Sequence, residues 1–188
     1  MQETKRLFAA VKIQASETFL EVYDRIKQSL RNERITWVNP SNMHLTIKFF
    51  GDTFVHQIPD IDKSLKIACQ STEKFSLEVR NTGMFGSRYD PRVIWFGIEA
   101  GENMQQLFSR VSEQLKTIGI FPDRQNFVPH LTIGRIKGLR DKISFQQVLE
   151  ENRIHDSGSQ EIEELIFYES ILRREGPIYI PVHTYQFL

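Results

Sequence analysis

The sequence predicts a mixed α/β domain built from two similar halves, and three observations carry that reading. A length of 188 residues suits one domain with a sizeable core, and no low-complexity linker divides it. Strand-like alternation and apolar residues at helical spacing take turns along the chain. Finally, His44-Leu45-Thr46-Ile47 returns 86 residues later as His130-Leu131-Thr132-Ile133, each copy with a proline just upstream, Pro40 or Pro129. Composition alone would place a threonine two positions after two of the five histidines roughly 3% of the time. An internal duplication with pseudo-twofold symmetry accounts for the repeat economically.

Taken in order, Leu7 to Ile13 alternates as a strand, with Leu7, Ala9, Val11 and Ile13 on one side and Phe8, Ala10 and Lys12 on the other. Ser16 caps a helix to about Leu30, whose Phe19, Val22, Tyr23, Ile26 and Leu30 form one stripe. After a polar break at Arg31 to Arg34, Ile35 to Val38 is short and extended. Asn39 to Asn42 is turn chemistry, and Met43 to Phe50 is the first His-Thr strand, stopped by Gly51-Asp52. Asp60 begins a second helix to about Gln70, and Phe75 to Arg80 alternates as a half-exposed strand. Asn81 to Arg92, with Gly83, Gly86 and Pro91, predicts a long loop. Val93 to Ile98 is continuously apolar, a central strand. Asn103 caps a helix with Met104, Leu107, Phe108, Val111, Leu115 and Ile118 on one face, and Gly119 stops it. A turn at Pro122-Asp123 leads to the second His-Thr strand. Ser144 with Gln147 forms a capping box for a short helix, and His155 to Gln160 is a polar loop. Glu164 to Leu172 and Ile178 to Leu188 are closing strands around a turn at residues 173–177.

Composition bounds the function. Hydrophobic residues at 40% and charged residues at 26% describe a globular protein. No apolar run approaches the roughly 18 residues of a membrane span, and the start of the chain lacks a signal-type apolar core, so a cytoplasmic protein without membrane association is expected. The single Cys69 rules out an internal disulfide and a cysteine metal cage. With 24 basic against 24 acidic residues, any contact with nucleic acid must be local.

On an extended strand, residues two apart share a face, so each histidine points with its threonine. Two imidazoles meeting at one cleft can divide acid and base work on a phosphodiester, and the hydroxyls of Thr46 and Thr132 can donate to its oxygens. Metal ligation competes for the histidines, but neither motif supplies a second histidine or a carboxylate on the same face. A serine triad lacks a recognisable nucleophile elbow. Strict alternation turns Arg135 away from His130 unless the strand bulges at Gly134, whereas it puts Lys48 on the His44 face. Arg88, Tyr89 and Arg92 are loop candidates for contacting a terminal nucleotide. Trp37 and Trp95 read as core anchors, and His56, His155 and His183 as surface or structural residues.

The segments Met43-His44-Leu45-Thr46-Ile47-Lys48-Phe49-Phe50-Gly51 and Phe127-Val128-Pro129-His130-Leu131-Thr132-Ile133-Gly134-Arg135 resemble the two HxTx signatures of the two-histidine phosphoesterases. Within that superfamily the chain is most similar to the RNA 2′,3′-cyclic phosphodiesterases, also called 2′-5′ RNA ligases. The resemblance extends to Arg6-Leu7-Phe8, Trp37-Val38, Gly83-Met84-Phe85-Gly86, Pro91 to Trp95, Ser170, and Gly176 to Tyr179. It departs at Phe50, where many members have Leu, and in the turn Pro40-Ser41-Asn42-Met43. The resemblance implies a bilobal α/β (α+β) fold with two mainly antiparallel sheets lining a central cleft and helices outside, all within one domain. It implies metal-independent hydrolysis of an RNA terminal 2′,3′-cyclic phosphate to a 2′-phosphomonoester, with no cofactor and with reverse 2′-5′ ligation. His44 would be the general acid, His130 the general base, Thr46 and Thr132 phosphate ligands, and Arg135 a further substrate contact. The expected partner is an RNA terminus or a small cyclic nucleotide, bound by a monomer. Hydrolysis of 2′-5′ oligoadenylate or another small phosphodiester, and a non-catalytic module that binds nucleotides or RNA ends, are the alternatives.

Overall fold

A computed structural model describes residues 3–122, 127–153, 158–174 and 176–188. The chain begins with β1 (Thr4–Lys12), α1 (Glu17–Ser29), β2 (Arg34–Trp37), β3 (His44–Phe54), α2 (Ile58–Cys69) and β4 (Phe75–Ser87). It continues with β5 (Asp90–Ala100), α3 (Glu102–Lys116), β6 (His130–Gly138), α4 (Lys142–Glu151), β7 (Ser159–Ile162), β8 (Glu164–Ile171) and β9 (Ile178–Gln186). One sheet runs β3-β1-β8-β9 and the other β2-β6-β5-β4-β7, and all strand pairs are antiparallel.

The duplication is visible in this order. The series β1, α1, β3, α2, β4 is repeated as β5, α3, β6, α4, β8, with β2, β7 and β9 as extra edge strands. In the repeated series each half's last strand lies beside the other half's first: β8 beside β1, and β4 beside β5. One large core unites the inward residues of both sheets, among them Leu7, Val11, Leu45, Phe96 and Leu131, with the apolar faces of α1, α2, α3 and α4. The opposite sheet faces carry the two His-Thr strands.

Several local expectations hold for the reason given. The Ser16 hydroxyl accepts from the Phe19 amide at 3.2 Å, and Phe19, Val22, Tyr23 and Ile26 are buried. Gly119, with φ +81°, follows α3.

Others are corrected. Residues 81–92 are not a long loop but the paired arms and tight turn of the β4–β5 hairpin. The residues that read as loop chemistry serve inside strands instead. Asn81 adopts φ 60° at a bulge, Gly86 sits at φ 102° beside a second one, and Gly83 makes room for Trp95. Gly51 does not stop β3, which bulges there and runs on to Phe54. Helix α2 begins at Ile58, two residues before Asp60. Gly101, not Asn103, stands at the N-cap of α3, because β5 reaches Ala100 and the helix follows at once. The cap of α4 is Asp141, whose carboxylate accepts from the amides of Ile143 and Ser144, both at 3.0 Å. The turn at Pro122-Asp123, the loop at His155–Gln160 and the turn at 173–177 lie partly outside the described residues.

Candidate active site

His44 and His130 open β3 and β6, and each is fixed in the same way. The Nδ1 of His44 lies 2.7 Å from the Asn42 carbonyl oxygen, and that of His130 lies 2.8 Å from the Val128 carbonyl oxygen. A carbonyl only accepts, so Nδ1 carries a proton in both rings and Nε2 is the nitrogen left for chemistry. Asn42 is itself held, its Nδ2 donating to the Pro177 carbonyl at 3.1 Å.

Pairing fixes what accompanies each histidine. On β3, His44 stands opposite Lys12 and Thr46 opposite Ala10; on β6, His130 stands opposite Gly97 and Thr132 opposite Trp95. Cross-strand partners share a face, so each threonine points with its histidine, as the repeat predicts. A one-residue bulge follows in both strands, at Ile47 and at Ile133, and reverses the alternation beyond it. Lys48 therefore pairs with Ala9 on the core side, and its Nζ reaches the Phe121 carbonyl at 3.1 Å, so it does not share the His44 face. Arg135 instead pairs with Val93 on the cleft face, the bulge its inclusion requires falling at Ile133-Gly134. Gly134 is confined by Trp37 and Ile35, whose atoms would lie 3.0–3.3 Å from a Cβ there.

Aromatic side chains wall both histidines. Ring centres of Phe8 and Tyr179 lie 4.8 and 5.1 Å from that of His44, and Phe85 lies 4.6 Å from His130. Beneath them Phe8, Ala10, Ile166 and Tyr168 form a small apolar cluster separate from the main core. Burial in this setting depresses the pKa of both histidines below the usual 6.5, since the charged form is the one that loses hydration. Their backbone hydrogen bonds oppose that shift, and the Arg135 guanidinium adds to it for both rings. His130 adds to it for His44, so a proton on one ring disfavours a proton on the other.

His44 thus lies within electrostatic reach of His130 and Arg135, and Thr46 and Thr132 share the strand faces of their histidines. The structure does not bring in Arg88 and Arg92, which bond Gln146 on α4 and Asp90 at the hairpin turn. Tyr89 stands 76% exposed at that turn. Trp37 is a core anchor packed on Tyr23, but Trp95 lies on the cleft face against Phe85. His56 stacks on Phe54 and His183 pairs with Asp62 at 3.0 Å, both structural, while His155 lies outside the described residues. Phe8, Phe85 and Tyr179 are wall residues that the two motifs do not reveal; the parity of β1 already puts Phe8 on the Ala10 side. A hollow of about 360 Å³ bounded by Gln14, Ser16, Phe19, Leu77 and Gln160 contains no histidine. Among the described residues no three His, Cys, Asp or Glu side chains converge as metal ligands, and no helix is long and apolar enough to cross a membrane.

Comparison with known proteins shows the family. A family model described as LigT-like phosphoesterase matches twice, over residues 11–95 and 98–179, one match per half. The RNA 2′,3′-cyclic phosphodiesterase of Methanothermobacter thermautotrophicus is 30% identical over 96% of this chain and 98% of its own. That of Thermotoga maritima is 33% identical over 94% and 89%. Among solved structures, a Thermus thermophilus protein superposes with a TM-score of 0.76 at 22% identity, covering 97% of each chain. Escherichia coli LigT complexed with 3′-AMP gives 0.72 at 21% identity over 98% of this chain and 99% of that one. The double match, the relatives of nearly equal length and the shared fold establish that the chain belongs to the LigT-like phosphoesterases of the two-histidine superfamily.

Proposed function

We propose that the protein hydrolyses a terminal RNA 2′,3′-cyclic phosphate to a 2′-phosphomonoester by paired histidine acid–base catalysis, without a metal or other cofactor. The observation that carries this reading is the matched pair of imidazoles, each tethered through Nδ1 to the carbonyl two residues before it, with Nε2 left for substrate. Water attacks phosphorus while the Nε2 of neutral His130 takes its proton. The bond from phosphorus to the 3′ oxygen breaks, and the Nε2 proton of charged His44 passes to that oxygen. The hydroxyls of Thr46 and Thr132 and the Arg135 guanidinium hold the non-bridging oxygens. Solvent then restores the starting protonation; when an RNA 5′-hydroxyl attacks phosphorus in place of water, giving its proton to His130 while the 3′ oxygen leaves with that of His44, the same steps join two ends through a 2′-5′ linkage.

Electrostatics support one proton shared between two rings: each site resists charge in the free protein, and His130 disfavours charge on His44. An anionic phosphate offsets this by favouring the charged acid once substrate binds. The assignment of acid to His44 follows the family pattern. The reading also places the protein in the cytoplasm as a monomer, its one thiol, Cys69, buried and pushed up to about 12, far from reactive.

Product analysis tests the reading. An RNA oligonucleotide ending in a 2′,3′-cyclic phosphate, incubated with the enzyme in EDTA, is expected to yield a 2′-phosphate end. A 3′-phosphate product, an intact cyclic end, or activity that only zinc or magnesium restores would overturn it.

A further inference from the structure

The two strands that carry the histidines differ beyond their bulges, and the difference concerns charge. The cleft face of β3 continues from His44 and Thr46 through Phe49, Asp52 and Phe54, residues that pair with Phe8, Arg6 and Thr4 on β1. The Arg6 guanidinium lies over the Phe49 ring, 4.8 Å from its centre. The cleft face of β6 continues from His130 and Thr132 through Arg135, and a further bulge at Lys137 keeps Lys137 and Gly138 on that same face. Beside them on β2, Thr36 pairs with Arg135, and Arg34 pairs with Gly138 and lies against it.

Arg135, Lys137 and Arg34 thus form an exposed cationic row leading away from His130. Among the described residues none of the three has an ion pair. The nearby acids are occupied: Glu33 accepts from the Arg140 and Asp141 amides, and Asp141 caps α4. At the other end of the same sheet the pattern is reversed, with Arg80 paired to Glu78 at 2.7 Å and to Glu99 at 3.3 Å. Three cations without an ion pair among the described residues therefore line one exit from the cleft, whereas at the other Arg6 is engaged with the Phe49 ring and stands opposite Asp52.

We infer that the RNA strand 5′ to the cyclic phosphate leaves the cleft along β6, its first internucleotide phosphates held by Lys137 and Arg34. Residues two apart on a strand rise about 6.6 Å, comparable with successive phosphates of an extended single strand. A charge-only track fits sequence-independent binding, since phosphate contacts position the chain without reading bases. On the opposite exit the Arg6 guanidinium is covered by Phe49 and faces Asp52, so that side offers aromatic surface with a single engaged cation and is left to the terminal nucleotide. This inference rests on the function proposed above.

The test compares a mononucleoside 2′,3′-cyclic phosphate with a decanucleotide carrying the same end, for wild type and for the double variant Lys137→Ala/Arg34→Ala, over a range of salt. The ratio of kcat/KM on decanucleotide to that on mononucleotide is expected to fall about tenfold in the variant. Its salt dependence should flatten by about 0.7 in log–log slope for each phosphate that is no longer neutralised. A ratio and slope equal to wild type, or an equal loss on both substrates, overturns the exit along β6. Wild type that turns over the mononucleotide with no advantage for the decanucleotide overturns the track alone, whereas wild type that turns over neither removes the underlying function as well.

Discussion

The two halves of this molecule place the same His-Leu-Thr-Ile on equivalent strands with the same bulge at its isoleucine, and then fill the surrounding positions differently. Where the first half sets Ala10 opposite Ile166, the second sets Trp95 opposite Gly83. A small and a large residue have exchanged strands, so the cleft floor stays filled under both motifs. Beyond the bulge the first half presents Phe49 and the second Arg135. The symmetric parts are those that carry the two imidazoles and two hydroxyls, which the proposed mechanism sets around one phosphate. The asymmetric parts give the two histidines unequal surroundings, which an acid and a base require.

The comparison breaks most severely at the histidines. His44→Ala and His130→Ala are each expected to lower turnover of a 2′,3′-cyclic end by on the order of 10²–10⁴-fold with the fold intact, measured by initial rates beside circular dichroism. Near wild-type rates in either variant would reduce the pair to a structural motif. The threonines come next. Thr46→Ala and Thr132→Ala should each cost about 10²-fold in kcat, and serine at either position should recover most of it, since the hydroxyl is the part in use. An equal loss in the serine variants would assign the threonines to packing.

The floor exchange predicts a change in stability instead of chemistry. A Cβ at Gly83 would come within 2.4 Å of the Trp95 indole, which is enclosed by Phe85 and the hairpin. Gly83→Ala should therefore destabilise the protein by ~1–3 kcal/mol, read as a lower melting temperature. Pairing it with Trp95→Phe should recover part of the loss. Additive effects in the double variant would show that the two residues do not share that space.

What is legible in the sequence follows the same division. The faces of His44, Thr46, His130 and Thr132 depend only on alternation within four residues, and so can be read. Lys48 and Arg135 lie across the bulge, where parity reverses, and a bulge is set by cross-strand pairing that no single strand encodes. Even so, the condition for Arg135 can be stated from the sequence. The β4–β5 hairpin is obscured because Gly83 and Gly86 look like turn residues, while their use is to pass beneath Trp95 and to bend a strand. Phe8 is visible as a face partner of Ala10, but its contact with His44 depends on the curvature of a four-stranded sheet.

The smallest expected effect concerns the pH profile. Burial holds both histidines below 6.5 and the Arg135 charge adds to that depression, so in the free enzyme both limbs of the kcat/KM profile should lie on the acid side of 6.5. The kcat profile should lie at higher pH, because bound phosphate favours imidazolium. Removing the guanidinium removes a repulsion felt by each charged ring, so the sign of the change is fixed: Arg135→Ala moves both kcat/KM limbs toward higher pH. Arg135→Lys keeps a cation on the same face and should leave the limbs close to wild type while still weakening substrate binding, since an ammonium lacks the planar fork that matches two phosphate oxygens. Limbs that stay in place in Arg135→Ala would mean that solvent screens this exposed guanidinium from both imidazoles, leaving burial alone to set their pKa values.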